Sequence, residues 1–280
     1  MDCATSSRID AALRRPTDRE PMSKNEPFYT RTDAHYVPNR VSAGPWDPKS
    51  LHGRVVAGLL AHEIEAHHGA PDFVPARLTV DMYRLPGFET VEVTTRALRD
   101  GKRIKVIDAE FFSGGVSMAR ATSQLLARAA KPEGTVWEPP NWSVPAPDEI
   151  APPADPGSAL GGMWEIRGIT GAMGTVGPRR LWMREVRELV DGVALTPFVR
   201  AALASDFASP FANAGDKGLG YINSDVTLYL HRRMKGEWIG FEVVNHHATD
   251  GVAIGECFVY DIEGAIGSAS VAALAQRRSM

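Results

Sequence analysis

Leu78-Thr79-Val80-Asp81-Met82-Tyr83-Arg84 and Val226-Thr227-Leu228-Tyr229-Leu230-His231-Arg232 are the two stretches that decide the fold. They align with Thr79 on Thr227, an offset of 148 residues. Both alternate apolar and polar residues, as a half-buried strand does. Ala121-Thr122 meets Ala269-Ser270 at the same offset, and Asp100-Gly101 meets Asp250-Gly251 after a slip of two. Three matches in one order point to an internal duplication.

Each copy reads as one helix followed by four strands. In the first, Val55, Val56, Leu59, Leu60 and Ile64 recur at helical spacing over Gly53–His67. Strand-like runs follow at Ala76–Leu85, Thr90–Leu98, Arg103–Phe112 and Val116–Ala127, with turn signals at Asp100-Gly101 and Gly114-Gly115. In the second copy Thr196-Pro197 is a cap with proline at the first helical position, opening TPFVRAALASDF. Strands are expected at Ser224–His231, Trp238–His246, Val252–Tyr260 and Ala265–Leu274. One helix against an antiparallel sheet, twice, is an α+β layer arrangement; joining the sheets edge to edge covers an exposed edge of each.

Proline-rich Lys131–Gly162 separates the copies and is expected to run extended over the surface. The predicted organisation is a disordered leader at 1–26, an N-terminal unit at 27–130, a linker at 131–162 and a C-terminal unit at 163–280. The leader has no apolar h-region, and Met22 competes with Met1 as the start. The chain of 280 residues carries 31 Lys plus Arg against 34 Asp plus Glu. That balance argues against a generic nucleic-acid or anionic-membrane binder. Cys3 and Cys257 form neither a disulfide framework nor a metal pair, and no run has the length of a membrane span. A cytoplasmic protein is expected.

The repeat, with Leu51-His52-Gly53-Arg54-Val55-Val56-Ala57-Gly58, Tyr83-Arg84-Leu85-Pro86-Gly87, Leu98-Arg99-Asp100-Gly101-Lys102, Ala204-Ser205-Asp206-Phe207 and Ile222-Asn223-Ser224-Asp225, resembles the TesB-type acyl-CoA thioesterases (thioesterase II). The resemblance spans roughly Phe28 to Arg278. It implies a tandem (double) hotdog, two long helices against one continuous antiparallel sheet. It also implies hydrolysis of acyl-CoA, or a related acyl thioester, to free acid and thiol without a cofactor. In that family an Asp, a Thr or Ser and a Gln hold the attacking water. The Asp carries over to Asp206, the hydroxyl position falls on Asn223 with Ser224 beside it, and the Gln position falls on Ala272. An alanine cannot orient a water, so the set is incomplete. Gln124 is the repeat counterpart of Ala272 and is placed at the pseudo-symmetric site; Gln276 lies four residues beyond Ala272.

Asp206 follows an apolar helical run, so it either has a partner or does chemistry; the plain alternative is a solvated helix end. Asn223 fits either an oxyanion donor or an Asx-turn. His52, Gly53 and Arg54 open the first helix, where unsatisfied N–H groups suit a carbonyl or phosphate, or ordinary capping. Asp47 and His52 also show the Asp-x4-His spacing of hotdog enoyl-CoA hydratases, with Lys49-Ser50 where those enzymes have Asn-Pro. The alternatives to hydrolysis are therefore a hydratase or dehydratase on Asp47 and His52, or a silent acyl-CoA binder. Of Glu63 and Glu65 only one is expected to face the helix seam. His62 and His67 lie five apart and do not form a metal pair. Ser117 lacks the context of a nucleophile elbow. Gly168, Gly171, Gly174 and Gly177 read as a mobile loop near the seam, and homo-oligomers are compatible with the pattern.

Overall fold

The computed structural model describes residues 26–45, 47–154 and 164–276. The expected leader up to residue 25, with Cys3 and Met22, and linker residues 155–162 lie outside the described residues.

The first half is a hairpin β1 (Tyr29–Thr32) and β2 (His35–Pro38), the helix α1 (Gly53–His68), and strands β3 (Phe73–Met82), β4 (Val91–Asp100), β5 (Ile104–Ser113) and β6 (Val116–Ala127). The second half holds β7 (Glu165–Thr170), β8 (Arg180–Arg184), α2 (Pro197–Ser205) and α3 (Ala208–Asn213). After a small hairpin, β9 (Ala214–Gly215) with β10 (Gly218–Leu219), come β11 (Tyr221–Asn223), β12 (Asp225–Leu230), β13 (Ile239–Thr249), β14 (Val252–Asp261) and β15 (Gly264–Ala275).

Thirteen strands form one sheet, in the order β1-β2-β4-β5-β6-β3-β12-β15-β14-β13-β8-β7, with β11 on β15. Its centre is the antiparallel β3–β12 pair, where Thr79 faces Thr227 and their hydroxyls hydrogen-bond at 3.2 Å. The repeat pairs with itself at the residues the sequence matched. Elsewhere the register is copied at the same offset. Thr79 pairs with Thr122 and Thr227 with Ser270; Asp108 pairs with Thr122 and Glu256 with Ser270. Even the hydroxyl-to-carboxylate bonds repeat, Thr122 to Asp108 at 3.0 Å and Ser270 to Glu256 at 3.1 Å.

Alternation decides which face packs. Ile107, Ala109 and Phe111 of β5 and Ala269, Val271 and Ala273 of β15 are buried, while Asp108 and Ser270 are on the opposite face. Both helices lie on the buried side. α1 starts where His52 leaves extended backbone and spends its apolar residues on the core; α2 starts at Thr196, whose hydroxyl accepts the Val199 N–H at 3.2 Å. The two helices run antiparallel: Gly53 sits against Asp206, Gly58 against Leu203, and Glu65 bonds to Thr196. α2 is shorter than expected, because the chain turns at Asp206-Phe207 into α3, burying Phe207 and Phe211.

The edge hairpin β1–β2 and the pair β7–β8 were not read from the sequence. The glycine stretch from Gly168 is corrected: it enters β7 and turns into β8 at the outer edge of the sheet, not at the seam. At Gly267 a Cβ would land on the carbonyl oxygen of Tyr229, so only glycine lets β12 and β15 approach. Gly267→Ala is expected to cost about 3 kcal/mol or more, since backbone has to yield. Urea denaturation checks this; an unchanged midpoint would show that the pair parts freely.

Candidate active site

Asp206 caps the C-terminal end of α2, one residue past Ser205, its backbone still αR at φ −62° and ψ −22°. That geometry aims its carboxylate across the seam at the first turn of α1, from the other half. The carboxylate stands 2.9 Å from where a Cβ on Gly53 would be. Glycine at 53 is what lets the charge reach the helix N-terminus, where partial positive charge favours it.

Two side chains hold Asp206. Asn223 at the end of β11 donates from Nδ2 to Oδ1 at 3.0 Å and to the Asp225 carbonyl at 3.2 Å. Both partners are pure acceptors, which forces the amide orientation. Both N–H bonds are thereby spent, so Asn223 positions the carboxylate. In this arrangement neither N–H is left over for a thioester oxygen, the partner expected of it from the sequence. His52 Nδ1 stands 3.3 Å from Asp206 Oδ2 and 3.2 Å from the Arg54 N–H. One nitrogen cannot donate to the first and accept from the second at once. A bond to an ionised carboxylate is roughly twice as strong as a neutral one, so the proton belongs on Nδ1 toward Asp206. The ring then keeps its lone pair on Nε2.

Burial lowers the His52 pKa below the ordinary imidazole value, and the Asp206 charge only partly offsets this, so the ring is neutral at pH 7. Burial alone would raise the Asp206 carboxyl. The His52 hydrogen bond, the Asn223 amide and the Arg54 charge outweigh it and hold the group below the usual carboxylate value. The site therefore rests as an ionised Asp beside a neutral His.

These groups line a cavity of about 240 Å³ with Leu51, Val56, Leu85, Ile222 and Leu274 as apolar walls. Tyr83, Arg84 and Ser224 also reach it. The expected residues His52, Gly53, Asp206, Asn223 and Ser224 are thus brought together. Arg54 is not among the lining residues. It is buried behind them, bonded to Glu185 at 2.6 Å and lying over the Trp164 and Phe28 rings at 4.2 Å and 4.6 Å. Gln124 is also corrected: it pairs with Arg77 in the row of outward-facing residues, on the other side of the sheet. Ala272 takes no part in the lining; its N–H is capped by Asp225 at 2.6 Å, and the β15 side chain at the cavity is Leu274. No Gln lines the cavity among the described residues.

Asp47 is exposed and accepts the Lys49 N–H at 2.9 Å in a local turn, so the carboxylate at His52 is Asp206. Glu63 accepts from Tyr36 and lies 3.2 Å from His67, while Glu65 bonds Thr196 and Arg233 across the seam. No group of three metal-binding side chains occurs among the described residues. Ser117 is bound to Tyr83 and Glu110. Trp164, Glu185 and the apolar walls escaped the sequence reading, because only long-range packing brings them here.

With the geometry established, the comparisons assign the class. Residues 42–126 match the acyl-CoA thioesterase N-terminal domain and residues 143–272 the acyl-CoA thioesterase C-terminal domain. Together they take in most of the chain, which belongs to the acyl-CoA thioesterase family. The fold is shared with a tesB protein of Mycobacterium avium subs paratuberculosis, at 15% identity and TM-score 0.66 over 89% of this chain and 96% of that one. It is shared too with a hot dog fold protein of Alicyclobacillus acidocaldarius, at 14% and 0.70 over 88% and 93%. An acyl-CoA thioesterase II from Mycobacterium marinum aligns at 15% and 0.61 over 88% and 94%. No curated protein matches the chain.

Gly53→Ala is expected to displace the Asp206 carboxylate while the helix itself gains by the change. Thiol release from acyl-CoA should fall about 100-fold, the scale on which a 1 Å misplacement acts. Full activity in the variant would show that the close approach is not needed.

Proposed function

We propose that this cavity hydrolyses an acyl-CoA, or a related acyl thioester, with Asp206 as the base that activates water. The observation that carries this reading is the ionised Asp206 held by Asn223 and His52 at an apolar cavity. A carboxylate with two bonds filled retains lone pairs for a water. Asp206 takes a proton as that water attacks the thioester carbonyl; collapse of the tetrahedral adduct expels the thiolate, which recovers the proton. The products are the acid and the free thiol. The N-terminal turn of α1 at Gly53 offers N–H groups to the carbonyl oxygen as charge develops. Water is the nucleophile, so the reaction calls for no cofactor. The absence of helices long and apolar enough to cross a membrane among the described residues is compatible with a cytoplasmic place of action.

A hydratase would use Asp47 with His52, and the turn that occupies Asp47 speaks against it. The other alternative, a binder without turnover, rests on Ala272, which cannot orient a water where the family pattern has Gln.

Thiol release from a panel of acyl-CoAs, short to long and aromatic, tests the reading. Asp206→Asn should lose at least about 100-fold in kcat, as removal of a positioned base does. No release from any acyl-CoA, with binding measured by calorimetry, would replace hydrolysis by binding. The pH profile is a separate check. Asp206 titrates below the ordinary carboxylate value, and the lowered His52 pKa places its protonation below the ordinary imidazole value, about 6.5. kcat/KM should stay level from neutral pH upward and fall only below that value. An acid limb above it would contradict a neutral His52.

A further inference from the structure

We infer that the opposite end of the α1–α2 pair is the pseudo-symmetric twin of the His52–Asp206 cleft, an acyl-binding cleft held shut by Arg233, so that one chain takes one acyl thioester. The ligand's chemistry rests on the function proposed above; the existence of the closed twin rests on the fold.

The β-register identifies the twin residue by residue. Ile222 and Asn223 pair with Leu274 and Ala273 on β15; Val74 and Pro75 pair with Leu126 and Leu125 on β6. The counterparts of Ile222 and Asn223 are therefore Val74 and Pro75. Leu85, which lines the open cavity, follows β3 as Arg233 follows β12, at the repeat offset. The helices exchange roles in the same way. At the open end the cap of α1, His52, meets the carboxylate of Asp206 at the end of α2. At the other end the cap of α2, Thr196, meets the carboxylate of Glu65 near the end of α1.

What differs is the filling. Glu65, Gly69, Phe73, Pro75, Phe198 and Arg233 surround a residual cavity of only about 10 Å³, against about 240 Å³ at the open end. Arg233 occupies the rest. Its guanidinium donates to Glu65 at 3.0 Å and to the Phe73 carbonyl at 3.0 Å. Arg232 beside it is clamped on buried Asp261, at 2.7 Å, which fixes where Arg233 enters. An arginine whose charge is met by a carboxylate and by backbone oxygen is a stable plug, and removing the carboxylate alone would strand the cation. Pro75 has no amide to orient Glu65 as Asn223 orients Asp206. The twin is therefore equipped to bind, not to hydrolyse.

The test replaces Arg233 by the residue its open counterpart carries. Arg233→Leu, and Arg233→Leu with Glu65→Gln so that no carboxylate is left unpaired, are crystallised beside the parent and pressurised with xenon, which enters dry apolar cavities. A xenon site among Phe73, Leu125 and Phe198 in either variant, absent from the parent, is expected. Folded variants that bind xenon at the open cleft but not there would overturn the inference. Calorimetry with octanoyl-CoA in the Asp206→Asn background adds the stoichiometry: one per chain is expected to become two. A ratio that stays at one while the parent binds would also overturn it. Failure of parent and variant alike to bind octanoyl-CoA would count against the thioester reading, and the xenon result would still decide the plug.

Discussion

The antiparallel pairing of β3 with β12 through Thr79 and Thr227 is the constraint on which the rest of the molecule depends. Because repeat-equivalent residues face each other there, a pseudo-two-fold axis passes between them. An inner edge of each half-sheet disappears into the partner, and no long strand in the middle of the molecule is left unpaired. The axis also sets α1 and α2 antiparallel on one face, so the start of each helix meets the end of the other. A cleft built at such a meeting draws residues from both halves. His52 and Gly53 come from one, Asp206 and Asn223 from the other, and neither half alone assembles the set.

Symmetry of backbone does not give symmetry of chemistry. The two ends of the helix pair share register and cap geometry, yet they diverge through a handful of side chains. Gly53 admits a carboxylate against the helix start, whereas the other helix opens with Pro197. Asn223 gives its amide to Asp206; Pro75 has none to give. Leu85 leaves a wall, Arg233 fills a volume. Each change is local, so a duplicated unit can keep its core and lose a site.

How far the sequence reveals this follows from the range of each interaction. The repeat, the eight long strands and both helix starts are legible because period-2 alternation, apolar helical spacing and caps are local signals. The hairpin β1–β2 and the pair β7–β8 are short, partly polar and held from outside: Tyr29 bridges to Val190, and Trp182 pairs with Gly240. Nothing local announces them. In the site, Asp206 and Asn223 were picked out by family pattern and His52 by its place before a helix, but their mutual contact was invisible from spacing. Gln124 shows the reverse error. The offset correctly paired it with Ala272, and both stand in the outward-facing row of Thr122 and Ser270; Leu274, in that same row, does line the cleft, so parity alone does not tell which member reaches it.

The electrostatics of the cleft explain a feature that no motif suggests. Arg54 stands two residues from His52, buried, and its charge lowers the proton affinity of Asp206. Left alone, a guanidinium there would weaken the very base that the reaction needs. Glu185 meets it at 2.6 Å, and the Trp164 and Phe28 rings cover the cation. The pair is neutral as a unit, and its field at Asp206 is that of a dipole, which falls off faster with distance than the field of a single charge. With His52 neutral as well, the charges that reach the cleft are the carboxylate of Asp206 and the guanidinium of Arg84. An ion pair that sits behind the lining thus adds only a small share to the lowered proton affinity of the carboxylate in front of it, and the hydrogen bonds from His52 and Asn223 do more.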